Sequence, residues 1–193
     1  MNKNRLEAFS DGVLAIIITI MVLEFKVPKT ATFEAVIPLF HKFLSYILSF
    51  VYVGIYWNNH HHMMHTVKRV NGAILWANLH LLFWLSLIPF VTAWIGEHHF
   101  TSFPMMLYGI ILLMNAIAYV ILQNIIIKNH GSDSILSKAV GKDYKGKISL
   151  IFYITAILLT KYYTMISGIL YIAVAVIWLI PDKRIERILD KEN

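Results

Sequence analysis

The residues with the most chemical reach lie near the amino terminus, in the run Arg5-Leu-Glu-Ala-Phe9-Ser10-Asp11-Gly12. They open a stretch, Gly12 to Leu23, that carries no charge. A carboxylate this close to hydrocarbon is costly unless it faces protein or water and has a partner. Two readings are open. Ser10 or Asp11 caps a helix that begins at Gly12, or the helix begins earlier and carries Asp11 inward. Partners for an inward Asp11 or Ser10 lie further along the chain: Trp57, His60, His61 and Asn78. An Asp–His or Ser–His–Asn network would join three helices. Each hydrogen bond between membrane helices contributes only about 0.6–2 kcal/mol, so such a network sets orientation more than stability.

Histidine supplies the other candidate chemistry. In His60-His61-His62-Met63-Met64-His65, His61 and His65 stand four apart and share a helix face, the spacing of a chelating pair. Imidazole and thioether suit copper or zinc, but neither a cysteine nor an assured carboxylate completes a closed site, so no metal is expected. His98-His99 beside Glu97 offers at most a weak zinc site, and His80 reads as a packing histidine. The chain has no glycine-rich phosphate loop and no nucleophile motif. It is not expected to be an enzyme or to carry a cofactor.

The elements that must position these residues follow from where charge is missing. The 193 residues are 58% hydrophobic and 15% charged, with no cysteine, against about 25% charged in a soluble domain. That composition excludes a soluble enzyme and a disulfide-stapled secreted module. Lys42 and Lys68 bracket 25 residues free of Asp, Glu, Lys and Arg, and Glu97 and Lys128 bracket 30. Spanning a bilayer takes about 20 residues. The uncharged segments predict an all-α integral membrane protein, a single domain over 1–193. Its six spans fall at about 6–26, 37–60, 71–96, 104–127, 147–162 and 163–181. The first and fifth are short between charges, and reach full length when flanking lysines snorkel to the interface.

Lysine and arginine set the orientation. The amino terminus, the second–third and fourth–fifth connections and the carboxyl terminus hold 13 of them. The opposite side holds four, Lys26, Lys29, Lys42 and Lys161. Both termini are therefore expected in the cytoplasm. The net charge of +6 is this bias, and no nucleic-acid partner is expected. Asn129–Gly146 reads as a polar linker, and 182–191 as a charged helix along the membrane surface. Asp11 interrupts any signal-peptide core, so no cleavable signal is expected.

At about 100° per residue, Gly12, Ile16, Thr19, Ile20 and Leu23 share one face of the first helix, while Ser10 and Asp11 point elsewhere. Periodicity alone leaves open whether this stripe faces lipid, another helix or a pore.

The signature Arg5-x-x-x-Phe9-Ser10-Asp11-Gly12 resembles that of the transmembrane protein 175 family of lysosomal and bacterial potassium channels. The likeness continues through Trp57-x-x-His60-His61, Leu75-Trp76-Ala77-Asn78-Leu79 and Pro89-Phe90-x-Thr92, over roughly the first half of the chain. The resemblance implies a homotetramer in a bacterial plasma membrane, with the first helix of each copy lining a central pore and K⁺ as the permeant ion. It implies that Ile16 forms the hydrophobic constriction, with Ile20 and Leu23 as further rings, and that Thr19 contributes to selectivity among monovalent cations. Arg5, Phe9, Ser10, Asp11, Trp57, His60, His61 and Asn78 match the family's structural polar network.

The chain contains no Thr-Val-Gly-Tyr-Gly loop, so a carbonyl-lined potassium filter is not expected. Apolar rings gate by dewetting, and threonine hydroxyls replace hydration water at lower cost for K⁺ than for Na⁺, which implies modest selectivity. Two other classes draw on the same residues. A proton-coupled secondary transporter would use Asp11 and a histidine as a titrating pair, and a haem-binding membrane oxidoreductase would be built on the histidines.

Overall fold

The structure, a computed structural model, describes residues 2–131, 134–141 and 143–179. Every regular element among the described residues is helical. The helices are α1 (Lys3–Leu23), α2 (Phe40–His65), α3 (Gly72–Ser86), α4 (Ile88–Glu97), α5 (Ser102–His130), α6 (Ile135–Val140), α7 (Tyr144–Leu159) and α8 (Thr164–Leu179). Two single 3₁₀ turns, Phe33–Ala35 and Ile37–Leu39, lead into α2. Among the described residues, four segments are long and apolar enough to cross a membrane: Lys3–Leu23, Phe33–His65, Gly72–Glu97 and Ser102–His130. α7 and α8 have 16 residues each.

Local chemistry explains where these elements depart from the expected spans. α1 begins at Lys3 because the Asn2 side chain caps it, accepting from the Asn4 amide. Ser10 and Asp11 thus lie about two turns inside the helix, and neither is its cap. The expected third span, 71–96, is two helices. Pro89 has no N–H to continue the ladder of α3, so α3 ends at Ser86 and α4 restarts with proline in its first turn. α2 runs on to His65, since no charge interrupts it before Lys68. The expected linker contains α6, capped by Ser134 and burying Leu136 and Ala139. The predicted surface helix at 182–191 lies outside the described residues.

The interior is organised along one stripe of α2, where Ser45, Ser49, Tyr52, Tyr56, His60 and Met63 are buried at helical spacing. Polar crosslinks tie it to its neighbours. The Thr92 hydroxyl lies 2.6 Å from Ser49 Oγ, which is 3.0 Å from the Tyr108 hydroxyl. Tyr52 donates to the Tyr171 carbonyl at 2.6 Å, and Tyr171 donates to the Met105 carbonyl at 3.1 Å. Tyr171 fits against α5 because position 109 is glycine, whose missing Cβ would collide with the Tyr171 hydroxyl. At the opposite end of the bundle from Lys3, Lys42 pairs with Glu97 at 2.9 Å.

Candidate functional site

α1 has two faces with different fates. Leu6, Ser10, Leu14, Ile17 and Met21 are buried against the rest of the chain. Their spacing of three and four residues keeps them on one side. Around the helix from them, Gly12, Ile16, Thr19, Ile20 and Leu23 are exposed, with Ile16 at 58% and Leu23 at 77%. A Cβ added to Gly12 would touch nothing within 4 Å. This is the stripe that the helical periodicity groups together, and no other part of the described chain covers it.

The buried face is anchored by a relay across three helices. His60 Nε2, on α2, lies 2.7 Å from Asn78 Oδ1, on α3. Asn78 Nδ2 donates to Ser10 Oγ at 3.0 Å, and the Ser10 hydroxyl donates to the Leu6 carbonyl at 2.9 Å. All three side chains are at most 3% exposed. Asn78 is the centre because its amide carries both a donor and an acceptor, one for each neighbouring helix. Since Asn78 Oδ1 can only accept, His60 Nε2 carries the proton.

Asp11 is separate from this relay. It is exposed and accepts from Trp57 Nε1 at 3.0 Å, which makes a second, outer tie between α1 and α2. His61 joins neither. It is exposed, stacks on Trp57 with ring centroids 6.4 Å apart, and meets the His65 ring edge-on at 4.5 Å. Phe9 is half exposed, and Arg5 is exposed with no side-chain hydrogen bond among the described residues. His80 accepts from Trp84 Nε1 at 2.9 Å. No group of three or more His, Cys, Asp or Glu among the described residues is placed to hold a metal.

Thr19 has its own local geometry. Its hydroxyl lies 2.7 Å from the Ala15 carbonyl and 2.9 Å from that of Ile16, and donates back into the helix. The proton is thereby committed to the backbone, and the oxygen lone pairs are left on the exposed side. An oxygen so arranged can accept from water or approach a cation.

Sequence reasoning did not find the Thr92–Ser49–Tyr108 crosslink or the Tyr52–Tyr171 tie. The signal for both was present, as serine and tyrosine recurring every three to four residues along α2.

The chain is 60% identical over 193 residues, all of both chains, to a potassium channel of Chryseobacterium sp. (strain P1-3). The sequence model of the family described as "Endosomal/lysosomal potassium channel TMEM175" matches residues 5–89. The chain belongs to the TMEM175 family. A potassium channel of Streptomyces collinus is 39% identical over 103 residues, 51% of this chain and 50% of that one. Among solved structures, the fold resembles the crystal structure of a lysosomal potassium-selective channel TMEM175 homolog from Chamaesiphon minutus. That match has a TM-score of 0.80 at 28% identity and covers 93% of this chain and 97% of that one. The family is one of ion channels and not of enzymes.

Proposed function

We propose that the chain is one subunit of a potassium channel, in which four copies place their α1 helices around a central pore. The observation that carries this reading is the division of α1. One face is locked to α2 and α3 through Ser10, Asn78 and His60, while the opposite face presents Gly12, Ile16, Thr19, Ile20 and Leu23 to nothing within the chain. A helix held rigidly from behind can keep a narrow apolar constriction in register across several copies. Names agree with this: the Chryseobacterium relative is called a potassium channel and the Chamaesiphon structure a potassium-selective channel.

In this arrangement Ile16 is the tightest ring, with Ile20 and Leu23 beyond it. Rings of branched aliphatic side chains expel water, and so block hydrated ions, until the helices separate. Thr19 lies between Ile16 and Ile20 and offers the only side-chain oxygen on the stripe, without charge. Four neutral hydroxyl oxygens replace the weaker hydration of K⁺ more readily than that of Na⁺, which yields modest selectivity. No carbonyl filter takes part. Beside the pore face, Ala15, Ile18 and Trp57, with Asp11 at one point, line a mostly apolar groove between α1, α2 and the end of α8, and a second copy is the occupant that closes the ring. The 13:4 division of Lys and Arg supports both termini being cytoplasmic, and the bacterial relatives support a bacterial plasma membrane as the location. A proton-coupled transporter gains little from this geometry, because Asp11 is held by Trp57 and not by a histidine.

Purified protein in planar bilayers, with K⁺ on one side and Na⁺ on the other, tests the reading through its reversal potential. Thr19→Val keeps the shape and removes the oxygen. It is expected to move the reversal potential toward zero while conduction persists. An unmoved reversal potential would take Thr19 out of selectivity.

A further inference from the structure

α7 lies along α5 and is much shorter. Its first turns share a small cavity with Tyr119 and Gln123 of α5, and Ile157, near its end, lies against Gly109. Gly109 and Gln123 each stand seven residues from an end of α5, so α5 reaches past α7 on both sides. α5 has 29 residues and is long and apolar enough to cross a membrane, and α7 crosses beside it with 16. At about 1.5 Å per residue, α7 is about 24 Å long. An ordinary hydrocarbon core is about 30 Å thick.

Both ends of α7 are set by local chemistry. At its start, Asp143 has a left-handed backbone (φ 41°), and its carboxylate accepts from the Gly146 amide at 3.1 Å. At its end, Thr160 is fully buried and donates to the Ala156 carbonyl at 2.6 Å, with Ser167 Oγ of α8 at 3.1 Å. The turn to α8 follows at once, and the backbone groups of a turn need water or a head group, not hydrocarbon. Between these ends, one face of α7 is covered by nothing in the described chain. Lys147, Ile148, Ile151, Ile154 and Leu158 are exposed at spacings of three and four, with Ile151 at 61% and Leu158 at 70%. A lysine–aromatic pair marks each end. Lys145 Nζ lies 6.0 Å from the centroid of the Trp178 ring, and Lys161 Nζ lies 5.6 Å from that of Tyr162. Such residues belong at a membrane interface. A lysine held over a ring does not also extend its full length toward water.

We propose that the exposed face of α7 selects short-chain phospholipids and thins the bilayer beside it. Acyl chains cover Ile148, Ile151, Ile154 and Leu158, and head groups meet Lys147 and Lys161 at the two surfaces. The helix is about 6 Å shorter than an ordinary hydrocarbon core. Long chains beside it would submerge the Thr160–Tyr163 turn or compress, and either response costs free energy for each ångström of mismatch. Short chains match the stripe without compression. The Gly72–Glu97 segment, with 26 residues, has no such shortfall, so the selection is local to α7.

The chain has no cysteine, so Ile151→Cys carries a single fluorophore at the middle of the stripe, where an exposed side chain can be replaced without disturbing packing. The labelled full-length protein is reconstituted in dioleoylphosphatidylcholine vesicles containing brominated dimyristoleoyl- or brominated dierucoyl-phosphatidylcholine. Quenching by bromine reports which lipid sits beside the label. The short-chain lipid is expected to be enriched about threefold over the long-chain one. The same label at Phe83→Cys, exposed on α3, is expected to show no preference between them. Equal quenching by the two lipids at position 151, or the same short-chain preference at position 83, would overturn the proposal. So would a label at position 151 that neither lipid quenches, as a second copy covering the stripe would leave it. None of these readouts depends on conduction.

Discussion

Replacing Ile16 by asparagine is expected to raise K⁺ conductance about tenfold, the change produced by lowering a barrier by about 1.4 kcal/mol. Ile16 is 58% exposed on α1 and touches no structure that would be disturbed by a polar group of similar size. Each apolar side chain of this kind differs in its preference for water by about 1.5–3 kcal/mol when fully buried. A ring of four therefore needs to give up only a fraction of that for water to enter the constriction. Amides in its place hydrogen-bond to water and hold the pore wet. Single-channel recording in bilayers measures the effect. Unchanged conductance would remove Ile16 from the constriction, and a loss of K⁺ preference together with the gain would show that the same narrow zone contributes to selectivity.

Replacing Asn78 by leucine carries the largest expected cost in stability. The change preserves volume but removes both bonds of the relay, 2.7 Å to His60 and 3.0 Å to Ser10. Ser10 still donates to Leu6, so the damage falls on His60, left buried with an unpaired ring nitrogen. An orphaned buried donor costs about 1–3 kcal/mol, which corresponds to a fall of about 5 °C in unfolding midpoint for a chain of this size. Thermal unfolding in micelles, followed by tryptophan fluorescence, gives the number. Ser10→Ala is also expected to lower the midpoint: the His60–Asn78 bond survives, but the buried Asn78 Nδ2 loses its acceptor. An unchanged midpoint in Asn78→Leu would mean that packing of Leu14, Ile17 and Met21 alone holds α1.

The sequence carries the helices wherever charge is scarce over a long run, which is why α2 and α5 are legible from Lys42, Lys68, Glu97 and Lys128. It carries the exposed stripe of α1 because that stripe obeys a simple periodicity. Other features depend on single residues whose effect is geometric. Pro89 divides a uniformly apolar segment into α3 and α4, and hydropathy does not register a missing N–H. α6 has six residues, too few for periodicity to speak. The polar partners were nameable in advance, but not their order. Whether His60 meets Ser10 directly or through Asn78 depends on where α3 crosses, and Asp11 pairs with Trp57 because an indole N–H, unlike the buried relay, reaches the exposed side. The small cavity between α2, α5, α7 and α8 was not legible at all, since it is formed by four helices meeting, with residues as distant as Tyr52 and Trp178.

The most direct test of the α1 pore uses the absence of cysteine from the chain, so that one introduced thiol is the sole target. Leu23→Cys, Thr19→Cys and the buried control Ile17→Cys are to be reconstituted in bilayers and exposed to a water-soluble trimethylammonium thiosulfonate during recording. A pore lined by the exposed face predicts irreversible loss of K⁺ current at positions 19 and 23 and none at 17. Conducting channels that ignore the reagent at Thr19→Cys and Leu23→Cys would contradict it.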